Sequence, residues 1–162
     1  MKTNQPRMHA SLYVSNLEKT ISFYNTFFNA SPVKRKTGYA KYVLESPALV
    51  ISFLENPEKV NTNFGHLGFQ LESEEALNLS LWQARKNKLV ELEETGTNCC
   101  YAKQDKYWAV DPDGVQWEVY FFHEDSEFND PRYELQETAA CCTPAIKENK
   151  SLSDLTPASS CC

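Results

Sequence analysis

The chain has 162 residues, enough for one domain with a substantial core or for two small fused halves. With 41% hydrophobic and 12% aromatic residues it is neither disordered nor fibrous by composition, and a net charge of −6 with no basic block argues against nucleic acid or an anionic membrane as partner. No stretch approaches the roughly 20 apolar residues of a membrane helix, and no apolar run follows Met1 to Arg7 as a signal peptide would require, so the expectation is a soluble cytoplasmic protein.

Met8 to Val14 alternates, with Ala10, Leu12 and Val14 on one face and His9, Ser11 and Tyr13 on the other, which is the period of a half-buried strand. Ser15-Asn16-Leu17-Glu18 has the form of a capping box. Leu17, Ile21, Tyr24 and Phe28 then make the apolar stripe of a helix ending near Asn29. Three short strands are predicted over Pro32 to Lys36, Ala40 to Glu45 and Ala48 to Leu54, parted by turns at Thr37-Gly38 and Ser46-Pro47. The order then begins again. Asn63 to Leu71 reads as a strand with Leu67, Phe69 and Leu71 opposite His66, Gly68 and Gln70. Ser73-Glu74-Glu75 opens a helix whose early acids suit the dipole, with Leu77, Leu81 and Ala84 as its stripe. Leu89 to Glu94, Tyr101 to Val110 and Val115 to Phe122 are three further strands, the last introduced by the turn Asp111-Pro112-Asp113-Gly114. The chain thus reads strand, helix, strand, strand, strand, twice over. Beyond it, residues 123–162 are acidic, then rich in small polar residues, and are predicted to form a largely disordered tail with a docked segment around Tyr133 and Leu135.

The six cysteines form three adjacent pairs, Cys99-Cys100, Cys141-Cys142 and Cys161-Cys162. Neighbouring Cα atoms sit about 3.8 Å apart, below the roughly 4.4–6.8 Å that a disulfide spans. In a reducing compartment such pairs are dithiols, whose natural partners are soft, thiophilic ions or metalloids.

His9, His66 and Glu118 each take the polar parity of a strand whose other face is apolar. His9 and His66 fall at matching places in the two halves; Glu118 lies in the last strand of the second, and Ser52 holds its counterpart position in the first. One strand histidine alone is most simply a packing or surface residue. Two at repeat-equivalent positions, completed by a carboxylate, match the two-histidine, one-carboxylate facial set of non-haem Fe(II) oxygenases, which leaves open positions on the metal. His123 has no such counterpart and reads as a surface residue.

The two halves, the histidine in each opening strand and the Asp-Pro-Asp-Gly…Trp-Glu motif resemble the vicinal oxygen chelate superfamily over about residues 7–122. That superfamily includes glyoxalase I, extradiol dioxygenases and the fosfomycin- and bleomycin-resistance proteins. The resemblance implies an α+β fold of two tandem βαβββ modules, at about 7–55 and 63–122, forming a half-barrel trough around a metal. Ser52 departs from glyoxalase I, where a fourth ligand is expected, and favours a three-ligand site. Residues 98–108, with Cys99-Cys100 ahead of the Asp-Pro-Asp-Gly turn, look like the organoarsenical carbon–arsenic lyases, some described as cadmium-induced proteins. These are Fe(II)-dependent dioxygenases that use O2 to cleave the C–As bond of methylarsenite and reduced aromatic arsenicals. The resemblance assigns metal binding to His9, His66 and Glu118, and substrate binding to Cys99 and Cys100. The tail cysteine pairs also look like that family.

The chemistry agrees. Trivalent arsenic carrying one organic group has two exchangeable positions, and two thiolates can take them. Adjacent side chains on a flat strand point apart, so a chelating pair needs bent backbone, for which Gly96-Thr97-Asn98 is suited. Tyr101 is a possible accessory residue, and Lys103 or Lys106 could lower the thiol pKa values or simply be solvated charges. Nickel, cobalt or another divalent ion could replace Fe(II), since affinity alone does not choose the metal. The alternative is a cytosolic protein that sequesters arsenic or cadmium without catalysis. Oligomeric state, monomer or homodimer, and the preferred organic group are open at this level.

Overall fold

Among the described residues eight strands and two α-helices form in the repeated order, with a short 3-10 turn at Pro57–Lys59 between the halves, and the strands of each half pair among themselves. The computed structural model describes residues 7–61, 65–99 and 101–128, without the side chain of Cys99. Cys100, the first residues of the strand expected from Asn63, the tail from 129 onward, its two cysteine pairs and the segment around Tyr133 lie outside the described residues.

The first half comprises β1 (Met8–Val14), α1 (Leu17–Phe27), β2 (Lys34–Lys36), β3 (Tyr39–Leu44) and β4 (Leu49–Glu55). The second comprises β5 (His66–Leu71), α2 (Glu74–Lys86), β6 (Leu92–Cys99), β7 (Ala102–Val110) and β8 (Gln116–Asp125). The sheets run β1-β4-β3-β2 and β5-β8-β7-β6, each with its opening strand parallel to its closing strand and the rest antiparallel. The architecture is therefore α+β, two βαβββ units in tandem. Among the described residues no helix is long and apolar enough to cross a membrane.

Both helices start on a side-chain cap. Asn16, rather than Ser15, accepts from the Lys19 backbone N–H at 2.9 Å, and Ser73 accepts from the Ala76 N–H at 3.2 Å. The Ser15 backbone N–H donates to the Asp113 carboxylate at 3.0 Å. That contact fastens the Asp-Pro-Asp-Gly turn of the second half to the head of α1. A second tie lies deeper. Tyr24 of α1 donates its hydroxyl to Asp111 at 2.8 Å and accepts from the Trp117 indole N–H at 3.0 Å. Asp111 also accepts from the Asp113 and Val115 N–H groups, which shapes the turn. Burial pushes the Tyr24 hydroxyl well above its ordinary pKa, with the Asp111 charge adding to the effect.

One apolar core joins the halves. The inward faces of β1, β3 and β4 (Val14, Ala40, Tyr42, Ile51, Phe53) and of β5, β7 and β8 (Phe69, Ala109, Trp117) pack with Tyr24, Phe27 and Phe28 of α1. The Tyr24 and Phe53 rings lie 4.3 Å apart, and Phe27 meets Trp117 at 5.3 Å. Each fully buried ring or branched chain of this kind contributes roughly 1.5–3 kcal/mol. Helix α2 covers the second sheet through Leu77 and Ala84 against Tyr107 and Val119.

Two strands differ from expectation. β6 runs on through Gly96-Thr97-Asn98, which reads as a turn, because a bulge between Glu94 and Thr97 absorbs Gly96 at φ +60° and lets pairing resume. β8 continues to Asp125, past the expected end at Phe122, because β7 is long enough to pair with it as far as Ala102.

Candidate functional site

On each sheet the polar face lies opposite the side chains packed into the core. On the second sheet that face carries His66, the first residue of β5, and Glu118, the third of β8. His66 Nε2 lies 3.3 Å from Glu118 Oε2. The close approach depends on Gly68, which pairs directly with Glu118. A Cβ at position 68 would stand 2.6 Å from the Glu118 carbonyl oxygen and 3.3 Å from its Cβ. A lone glycine inside a strand pattern signals such a contact, and Gly68 is the site residue that sequence alone could have disclosed.

Glu118 is 8% exposed and does not stand alone. Its Oε1 receives the Lys106 ammonium at 3.0 Å. Lys106, only 3% exposed, is no solvated charge. It also lies 3.7 Å from Glu94 Oε2, and Trp108, fully buried, donates its indole N–H to that same oxygen at 3.0 Å. The Trp108 ring meets His66 edge-on at 5.1 Å. Burial raises the Glu118 pKa, but the hydrogen bond with His66 and the Lys106 charge outweigh it and hold the carboxyl below its ordinary value. Glu94 and Trp108 carry no strong sequence signal, since only the fold shows what an isolated Glu or Trp meets.

His9 is placed elsewhere. It lies on the exposed polar face of β1, in the other sheet, paired with Val50. Among the described residues no group of three His, Cys, Asp or Glu side chains is spaced to hold one metal ion. Of the expected triad the structure brings His66 and Glu118 together and leaves His9 on the other sheet. Two of its members do fit a divalent ion: adjacent donors at right angles on bonds of about 2.1 Å lie about 3 Å apart, close to the His66–Glu118 spacing. The repeat relation itself holds in the register. Ser52 pairs with Ser11, two residues after His9, as Glu118 pairs with Gly68, two after His66. Ser52 contacts the Tyr39 hydroxyl at 3.2 Å.

Cys99 belongs to the same sheet. Cys99 ends β6 opposite Ala102, which begins β7, leaving two residues between them. Tyr101, at φ +62°, supplies the left-handed backbone that so short a connection demands. Bent chain thus flanks Cys99 on both sides, at the Gly96 bulge before it and at Tyr101 after it. Lys103 is engaged by Glu124 at 3.3 Å and Lys106 by the two carboxylates. His123 is exposed, as expected of a surface residue, and contacts Asp105 at 3.0 Å. Asp105 in turn accepts from the Gly96 N–H, which braces the bulge below the hairpin.

Residues 8–119 match the family model of the glyoxalase/bleomycin resistance protein/dioxygenase superfamily. The chain is 40% identical over 162 residues to a trivalent organoarsenical cleaving enzyme of Bacillus sp. (strain MD1), with 90% of this chain and 96% of that protein covered. It is 39% identical over 141 residues to the cadmium-induced protein CadI of Mycobacterium tuberculosis, covering 84% of this chain and 92% of that one. A solved glyoxalase/bleomycin resistance protein/dioxygenase from Alicyclobacillus acidocaldarius superposes with a TM-score of 0.59 at 11% identity, over 76% of this chain and 96% of its own. That last likeness concerns the fold alone.

Proposed function

The chain belongs to the glyoxalase/bleomycin resistance protein/dioxygenase superfamily, and we propose on that premise that it is an Fe(II)-dependent dioxygenase cleaving the C–As bond of trivalent organoarsenicals such as methylarsenite. The observation that carries the reading is the His66–Glu118 pair, 3.3 Å apart, on a sheet whose β6–β7 hairpin bears Cys99. A relative named for cleaving such compounds supports the substrate class.

In this reading His66 and Glu118 hold the metal, and Fe(II) when bound would supply activation of O2 at its open positions. His9 is the third donor. In this reading His9 joins the pair from the first sheet of a second copy. Cys99 and Cys100 take the two exchangeable positions of the arsenical. Their hairpin tip lies four residues along β7 from Lys106, about 13 Å of strand, so the loaded tip has to fold inward over the polar face. The bulges between Glu94 and Thr97 and between Lys103 and Gln104 give the arm places to bend.

A second reading, sequestration of arsenic or cadmium by the cysteine pairs, draws on the relative named as cadmium-induced. One assay separates the two. Protein, Fe(II) and methylarsenite are incubated with and without oxygen, and the arsenic is speciated. The enzyme releases arsenite only with oxygen and loses this in Cys99→Ser and His66→Ala. Stoichiometric binding with no released product overturns the enzymatic reading.

A further inference from the structure

An ammonium almost out of solvent costs several kcal/mol unless it is well paired, so the place of Lys106 calls for a reason. Its contacts close a ring. Glu118 Oε1 meets Lys106 Nζ at 3.0 Å, and Lys106 meets Glu94 Oε2 at 3.7 Å. Glu94 accepts from Trp108 Nε1 at 3.0 Å. The Trp108 ring abuts His66 at 5.1 Å and 86°, and His66 returns to Glu118 Oε2 at 3.3 Å. Strands β5, β6, β7 and β8 each contribute to it, on one face. The Lys106 ammonium also sits 5.4 Å from the centre of the Trp108 ring.

We propose that Lys106, held by Glu94 and Trp108, is a positioning residue that occupies one oxygen of Glu118 so that only Oε2 is offered to a metal, beside His66. This rests on the reading of His66 and Glu118 as metal donors. A carboxylate can bind a cation through one oxygen or through both. With Oε1 engaged, Glu118 binds through one and leaves a further coordination position open. Trp108 sets the plane of the His66 ring from its edge, and Glu94 fixes Trp108 and Lys106 together.

The first sheet supplies an internal comparison. By register, Tyr39 and Ser52 stand where Lys106 and Glu118 stand in the second. They make the corresponding contact with two neutral hydroxyls at 3.2 Å. The charged version occurs in the half that has a carboxylate to restrain.

The test uses the full-length protein and Co(II), whose visible spectrum reports coordination number. Wild type should bind Co(II) with a spectrum that His66→Ala abolishes. Lys106→Met should keep the affinity or raise it, while its spectrum weakens toward higher coordination as Glu118 engages through both oxygens. Lys106→Arg, which retains the charge, should restore the wild-type spectrum. If Lys106→Met does not fold, Lys106→Met with Glu94→Gln removes one charge of each sign and should show the same spectral change. A Lys106→Met spectrum identical to wild type, or weaker binding accompanied only by lost thermal stability, overturns the positioning role and leaves the metal reading intact. Absence of any His66-dependent Co(II) spectrum in wild type overturns both.

Discussion

Gly68→Ala puts the fold and the site under one test. The added methyl would stand 2.6 Å from the Glu118 carbonyl oxygen, where ordinary contact begins at 3.4 Å, so β5 and β8 must part by about 0.8 Å. The obstacle is backbone, which cannot rotate aside. Overpacking of this kind costs about 1–3 kcal/mol, and the restricted unfolded chain returns about 0.4–1 kcal/mol to alanine. A net loss of about 1–2 kcal/mol follows, which is about 4–8 °C in Tm at roughly 4 °C per kcal/mol. Urea denaturation should show a lower midpoint with an unchanged slope. Because His66 and Glu118 flank the opening, Co(II) affinity should fall about tenfold, the scale of disturbed metal surroundings. A variant with the wild-type midpoint and wild-type affinity would show that the strands do not need this closeness.

Tyr24→Phe strips the Trp117 indole N–H of its acceptor and Asp111 of a donor in the buried core; denaturation should register a loss of about 1–3 kcal/mol, and a loss within error would mean the tie between the halves contributes nothing. His9→Ala and Glu118→Ala, each inactive alone, should recover part of the cleavage when mixed; mixtures as dead as their components would place all donors in one chain. Arg85 hydrogen-bonds Glu93 and holds its carboxyl below the ordinary value. That stabilisation is present above the ordinary carboxylate pKa and is lost as pH falls through the lowered one, so wild type should exceed Glu93→Gln by less than about 1 kcal/mol at neutral pH. The difference should vanish in acid, and one that persists there would have another origin.

The repeat was legible because alternation in Met8 to Val14 and in His66 to Leu71 is a two-residue period that only a strand satisfies, and because the stripes of Leu17 to Phe28 and Leu77 to Ala84 differ plainly from it. The same parity put His66 and Glu118 on one face, and the register kept Ser52 in the counterpart position. What parity cannot supply is the direction in which two sheets face each other. How the halves meet rests on Phe27 and Phe28 packing against Phe69 and Trp117 of the other half, a long-range choice that parity does not carry. The burial of Lys106 was hidden for a similar reason. A lysine between Asp105 and Tyr107 reads as solvent-facing until the bulged ladder brings Glu94 beside it. Asn16 caps the helix, while the Ser15 backbone N–H is taken by a carboxylate 98 residues away.

The fastening of the Asp-Pro-Asp-Gly turn onto α1 bears on how this chain could be dissected. A cut in the connector between Glu55 and His66 would yield a shorter upstream and a longer downstream piece, neither of them self-sufficient. The downstream piece would expose a carboxylate and an indole whose shared hydroxyl had gone with the other fragment, together with half of an aromatic cluster. Made separately it should aggregate; made alongside the upstream piece it should be rescued, which turns this linker into a natural split point for a reporter of reassembly.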